Sequence, residues 1–411
     1  MFSPSGSRKR TTHKSSPKGA SAAAGKKSSS PKGVRRTGKK SSSPVASAAA
    51  SAAASRIPVP NSNAIGSGGY GTVFSPAFEN TNFTDDTHNR REWVTKVFLR
   101  NGNYQKAAIN IPTVQGLGFN YNAHRYKRPL RISRNVPAAK RADLLAAVGS
   151  DEIFGLRMPH KGESIDKITS DRAFRELRQL PVYAIMGQTC KMIRQVSTLL
   201  ESGYIHGDIR TPNILVDRAT GIFTIIDFDW FDPKHEFFSE YFTSFGFYSN
   251  PPETLLVDPS KRGNYISAFR QSFVDHACLR SLDATNHLNF AYLLRKSGRP
   301  VLDNRPMTWD KTLDTFDSFG LAWSLLSLFQ FLYPGSLNNN VPALKSALAT
   351  RISNNGVPYT DEELDTCAVA INAMVQAVLL PLGDFNLKDR QTISNVYTHA
   401  IAILSASRPA I

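Results

Sequence analysis

The chain has 411 residues, with 50 Lys and Arg against 33 Asp and Glu and 41% hydrophobic residues, enough to bury a large core. The positive excess is concentrated: residues 1–56 hold 13 Lys and Arg and no acid, and the other 355 hold 37 basic against 33 acidic side chains. This excludes a uniformly basic architectural protein and points to an ordinary globular domain with a cationic arm. Cys190, Cys278 and Cys367 are odd in number and far apart, which excludes a disulfide framework and a Cys-x-x-Cys metal knuckle.

Residues 1–56 are rich in Ser, Ala, Lys, Pro and Gly, with too few large apolar side chains to offset the entropy of ordering, so they are expected to be disordered. The heptapeptide Gly-Lys-Lys-Ser-Ser-Ser-Pro occurs at 25–31 and again at 38–44. Two readings stand for this arm, a solvated tail and a non-specific nucleic-acid contact made through counterion release. No apolar run follows the charges of residues 1–10, and the longest strongly apolar stretch, 320–333, is shorter than the ~20 residues of a membrane span. An intracellular protein with no membrane partner and no secretion signal is expected.

Residues 57–148 are Gly-rich, β-branched and aromatic and read mostly as strands. Within them 97–142 contain no acid, while Arg125, Lys127, Arg128, Arg131 and Arg134 form a basic cluster, either a docking face or a solvated one. A break at 151–161 is the expected linker. Beyond it Ile185, Thr189, Met192, Ile193, Val196, Leu199 and Leu200 recur at helical spacing, with Gly203 as a stop. Residues 214–216 and 223–226 read as a hairpin, and 316–332, apolar nearly all round, as a central buried helix. An α+β chain follows, with an arm (1–56), a small β-rich lobe (57–158) and a larger helical lobe (159–411) containing an uninterpreted insert at 255–312.

Chemistry concentrates in three places. Gly66-Ser67-Gly68-Gly69-Tyr70-Gly71-Thr72-Val73 has the spacing that lets a strand–turn–strand backbone lie against phosphates, where a Cβ would hold it away. Lys96 follows in a strand-like run, its ammonium suited to phosphate oxygens. His206-Gly207-Asp208-Ile209-Arg210-Thr211-Pro212-Asn213, then Asp227-Phe228-Asp229 beyond the hairpin, can gather a proton acceptor and two oxygen ligands for a metal around one point.

In this order the motifs resemble the eukaryotic protein kinase superfamily, over about residues 65–404. Pro251-Pro252-Glu253 is similar to the motif closing the activation segment, Asp317-Ser318-Phe319-Gly320 to the start of the central helix, and Asp389-Arg390-Gln391-Thr392 to the late segment whose arginine pairs with that glutamate. The resemblance implies a bilobal kinase fold binding ATP and Mg²⁺. Gly66, Ser67, Gly68, Gly69, Tyr70, Gly71 and Val73 would cover the nucleotide, Lys96 would hold its α- and β-phosphates, and Glu163 would reach the ribose. Asp208 would accept the substrate hydroxyl proton, Arg210 would contact the γ-phosphate, and Asn213 and Asp227 would hold magnesium. Arg210 favours Ser/Thr specificity on protein substrates, and His206 is expected to brace the loop. The basic repeat tail with the His-Gly-Asp loop and Asp-Phe-Asp motif resembles the Ser/Thr kinases of large double-stranded DNA viruses of algae, which implies a host-cell or virion location.

Departures from the pattern keep two other classes open, a pseudokinase scaffold or tethered binding module and a small-molecule phosphotransferase. Gly207 replaces an arginine that would receive a phosphorylated activation loop. Asp229 replaces a glycine. Thr315 stands where an aspartate usually braces the catalytic loop, with Asp314 the expected substitute. The acid that normally pairs with the lysine is missing after Lys96, leaving Gln105, Asn110 or Gln115 as neutral partners.

Overall fold

The computed structural model describes residues 56–57, 63–68, 71–75, 77–78, 92–98, 100–126, 130–132, 152–170, 180–237, 251, 305–353, 359–384 and 389–407. The expectations for most of the arm and its repeats, for Gly69 and Tyr70, for Lys127, Arg128 and Arg134, for Glu253 and for residues 255–304 of the insert lie outside these. What is described is mixed α+β, with small, mainly antiparallel sheets followed by a mostly helical part.

The main sheet is built from β1 (Arg56–Ile57), β2 (Asn63–Gly68), β3 (Gly71–Ser75), β4 (Trp93–Phe98), β5 (His124–Arg125), β6 (Leu130–Ile132) and β7 (Glu152–Pro159). Its order is β1-β6-β7-β4-β3-β2, with β5 also on β7, and every pairing except β1 with β6 is antiparallel. β4 is buried on both faces, hence its near-continuous run of Val94, Val97 and Phe98. The one neutral polar side chain in its interior, Thr95, is satisfied: its hydroxyl accepts the Phe78 N–H at 2.8 Å and lies 2.6 Å from the Tyr126 hydroxyl. Gly71 in β3 has a steric role, because a Cβ there would sit 2.1 Å from the Val97 carbonyl oxygen.

Three expectations need correction here. The segment read mostly as strands contains a 16-residue helix, α1 (Asn101–Gly116). Its buried Tyr104, Ala107, Ala108, Ile111 and Val114 recur at three- and four-residue spacing, but Gly102, Pro112 and the β-branched residues mask the period. The expected break at 151–161 is mostly β7, paired with β4 along its length, so the chain leaves the sheet only after Pro159. Arg56, assigned to the arm, lies in β1.

The chain then forms β8 (Glu163–Ser164), α2 (Ile165–Ser170) and α3 (Val182–Glu201), whose buried face is the expected stripe from Ile185 to Leu200. After β9 (Tyr204–Ile205) the predicted hairpin is present as β10 (Ile214–Val216) and β11 (Phe223–Ile225), in register Ile214 to Ile225, with β8 on the other side of β10. β12 (Asp232–Pro233) returns to pair with β9. The central helix, α4 (Arg305–Leu332), begins earlier than its apolar run and takes in the last part of the expected insert.

α4 is the axis of the helical part. Phe319, Trp323, Leu328 and Phe329 are fully buried, and truncating such a leucine to alanine costs about 2–5 kcal/mol. Packed on it are α2, α3 and a π-turn at Val375–Leu379 that continues α6 (Asp361–Met374), and α6 in turn packs with α5 (Val341–Ser353) and α7 (Ile393–Ala406). The stretch Asp361–Leu382 is long and apolar enough to cross a membrane by length and composition, contrary to the expectation from apolar runs alone, because Asn372 and Gln376 interrupt it. Half of it is buried inside the fold, with Leu364, Ala368, Ile371 and Val378 in the core, as in the core helix of a globular protein.

Candidate active site

Lys96 lies in β4 directly across from Val73 of the glycine-rich hairpin, in which Gly68 pairs with Gly71 at the closing end. Its ammonium is buried and passes 5.2 Å from the Phe98 ring centre. Such a charge is tolerated only with partners, and it has two: Asp227 Oδ1 at 2.5 Å and Asp229 Oδ2 at 2.6 Å. Burial opposes its charge, but the two carboxylates outweigh burial and hold its pKa above the ordinary lysine value. The acids differ in access, since the Asp227 side chain is 33% exposed and that of Asp229 only 3%, so of the two only Asp227 opens toward a ligand.

The second acid therefore comes from the Asp-Phe-Asp turn and not from α1. None of the expected neutral partners turns to Lys96. Gln105 donates to Asn101 Oδ1 at 3.3 Å, Asn110 to the Phe231 carbonyl at 3.1 Å and Gln115 to the Tyr121 carbonyl at 3.0 Å. α1 instead carries a cation to the chain beyond the turn, Lys106 to Asp232 at 2.5 Å.

Asp227 adopts φ 69, ψ 62, a left-handed conformation uncommon for any residue but glycine, asparagine and aspartate and one that clusters at functional sites. The next side chain, Phe228, anchors it there. Phe228 is buried against Phe119, Tyr121 and His206, with ring centres 5.1, 4.9 and 4.6 Å away. Burial works against the Asp227 charge, yet Lys96 keeps its pKa below the usual value. Asp229 is pushed up to about 7 by burial and then by the adjacent Asp227 charge.

The loop 206–213 supplies the other acid. Asn213 donates its amide to Asp208 Oδ2 at 2.7 Å and to the Asp208 carbonyl at 2.9 Å, while Arg210 Nε lies 2.9 Å from Asp208 Oδ1. Burial and the Asp227 charge raise the Asp208 pKa and Arg210 opposes them, leaving it at about 6. The Ile226 N–H donates to the Asn213 carbonyl at 2.9 Å, which ties this loop to the residue before Asp227. Thus Lys96, Asp208, Arg210, Asn213 and Asp227 are brought together. Glu163 sits in β8 beside Val216, with its carboxylate 2.6 Å from the Lys167 ammonium.

The loop's frame departs from expectation. Asp317 of α4, fully buried, accepts the His206 N–H at 2.6 Å and the Gly207 N–H at 3.0 Å. Asp314 is turned outward to Lys234 at 2.6 Å and braces nothing in the loop; the expected brace was out of register by one helical turn. Thr315 accepts from Arg390 Nη1 at 3.1 Å, and that guanidinium stacks over Phe319 at 4.7 Å. His206 is buried, with Nε2 3.0 Å from the Ile226 carbonyl and Nδ1 accepting the Asp208 N–H at 3.2 Å. Gly207 has φ +80, and a Cβ there would meet Phe237 Cε2 at 2.4 Å.

The site offers three oxygen donors, the Asp227 carboxylate, the Asp208 carboxylate and the Asn213 carbonyl oxygen left over when its amide hydrogens bond Asp208, beside the Lys96 and Arg210 cations. That set suits a hard divalent cation such as magnesium. No family model matches the chain, and no curated protein matches it.

Proposed function

We propose that this chain is a bilobal Ser/Thr protein kinase, transferring the γ-phosphoryl group of ATP to a protein hydroxyl. The observation that carries the reading is the joining of Lys96 to Asp227 across the molecule while Asp208 and Asn213 bond each other beside it. Four residues from three separate motifs would not meet at one place by chance of composition. The order of strands β2-β3-β4-β7, with α1 inserted after β4 and α2 and α3 packed on α4, supports the fold half of the proposal.

In this reading Asp208 orients the substrate hydroxyl and accepts its proton as the oxygen attacks the γ-phosphorus and the bond to the bridging oxygen breaks, releasing ADP. Arg210, within ion-pair distance of Asp208, faces the transferred group with a planar fork. Lys96 neutralises the α- and β-phosphates beneath the hairpin of Gly66, Gly68 and Gly71. Asn213 and Asp227 would hold magnesium, which when bound offsets the charge of the phosphates.

The pseudokinase alternative is favoured by one feature: both carboxylates engage Lys96 at once, so nucleotide phosphates must compete for it. A magnesium–ATP assay on a basic protein, an acidic protein and a panel of small hydroxyl compounds separates the readings. Labelled phosphate on a protein Ser or Thr, abolished by Asp208→Asn, is the expected result. Phosphate on small molecules alone, or nucleotide binding without transfer, replaces it with one of the alternatives.

A further inference from the structure

We infer that Asp229 is the positioning residue for Lys96, supplying from the Asp-Phe-Asp turn the buried acid that α1 does not carry. The inference rests on the kinase reading for what Lys96 then does.

Lys96 needs a second acid if Asp227 is to turn toward a cation and keep the lysine oriented. Residues 97–142 contain no Asp or Glu, so α1 cannot provide one. Asp229 Oδ2 lies 2.6 Å from the ammonium, and with its side chain only 3% exposed it is shut away from a ligand. It therefore acts through Lys96 and not on substrate. Two further contacts fix its position relative to α1. The Asn110 side chain bonds the Phe231 carbonyl at 3.1 Å, and Lys106 pairs with Asp232 at 2.5 Å. Helix and turn are thus cross-linked two and three residues beyond Asp229, which leaves Asp229 facing the lysine without any acid on the helix. The aspartate that stands in place of a glycine at 229 is thus the source of the missing acid.

The test uses the full chain and the variant Asp229→Asn, which keeps shape and hydrogen bonding but removes the charge. Expected are a ten-fold or greater rise in KM for magnesium–ATP, a fall in kcat, an unchanged KM for the protein substrate, and a several-fold change in the rate at which acetic anhydride labels Lys96 relative to the other lysines at one fixed pH. Values for ATP and for Lys96 labelling within two-fold of wild type overturn the inference. A crystal structure of the wild-type chain with magnesium and a non-hydrolysable ATP analogue decides it even where the variant does not fold. Lys96 Nζ within about 4 Å of Asp229 supports it, and separation beyond that distance overturns it. Should the wild type neither bind nor turn over magnesium–ATP, the kinase reading fails, while Lys96 labelling still reports whether Asp229 holds the lysine.

Discussion

On the proposed kinase reading, the acids of the site have separable jobs at the residue scale. Asp208→Asn keeps the bond to Asn213 but removes the proton acceptor, so turnover is expected to fall by about 10²–10⁴ with nucleotide affinity nearly unchanged. Steady-state kinetics beside an ATP-binding titration checks it. His206 carries a pH signal of its own. Burial, the largest influence, lowers its pKa to about 4, so the folded chain keeps it neutral while the unfolded chain protonates it near 6.5. Its contribution is therefore complete above pH 6.5 and is lost as pH falls toward 4, worth roughly 3 kcal/mol across that window. Urea midpoints measured between pH 7 and 4.5 should fall less steeply for His206→Gln than for wild type. Gly207→Ala puts a methyl group against Phe237 at a positive φ, and a loss of roughly 1–3 kcal/mol is expected by thermal unfolding.

At the scale of elements, α6 offers a control remote from the chemistry. Thr360 accepts the Glu363 N–H at 3.2 Å, and Glu363 returns a bond from the Thr360 N–H at 2.7 Å, a capping box that closes the helix start. Thr360→Ala should lower stability by about 1 kcal/mol and leave the proposed phosphoryl transfer at the wild-type rate, read by denaturation and assay side by side. Elements also show what could be read in advance. The meeting of Lys96, Asp208, Asn213 and Asp227 was legible because each sits in a short motif at recognisable spacing. α3 and α4 were legible from long apolar stripes. α1 was not, since Gly102 and Pro112 contradict a helix locally and only burial against the sheet decides the matter. Nor was the brace at Asp317: Asp314 and Asp317 lie one turn apart on the same helix, and only the backbone N–H groups that approach one of them distinguish the two. The partner of Lys96 was expected on α1, whereas pairing across 133 residues depends on how the turn after β11 folds back.

For the whole molecule, the arm and the folded part make separate predictions. Thirteen cations without an acid in residues 1–56 should confer weak, sequence-independent DNA or RNA binding that declines steeply with salt. A chain starting at Arg56, which keeps β1, should lose that binding and retain the proposed transfer activity; equal duplex binding by both chains, measured across a salt series, removes the arm from the account. The ring of Phe237 has a consequence for how the loop can change. It fills the volume a side chain at 207 would need, at a backbone angle that already disfavours one. In a drifting lineage, any side chain acquired at 207 by a single codon change meets that ring at once, so change at 207 is tied to change at 237, on a segment thirty residues further along the chain.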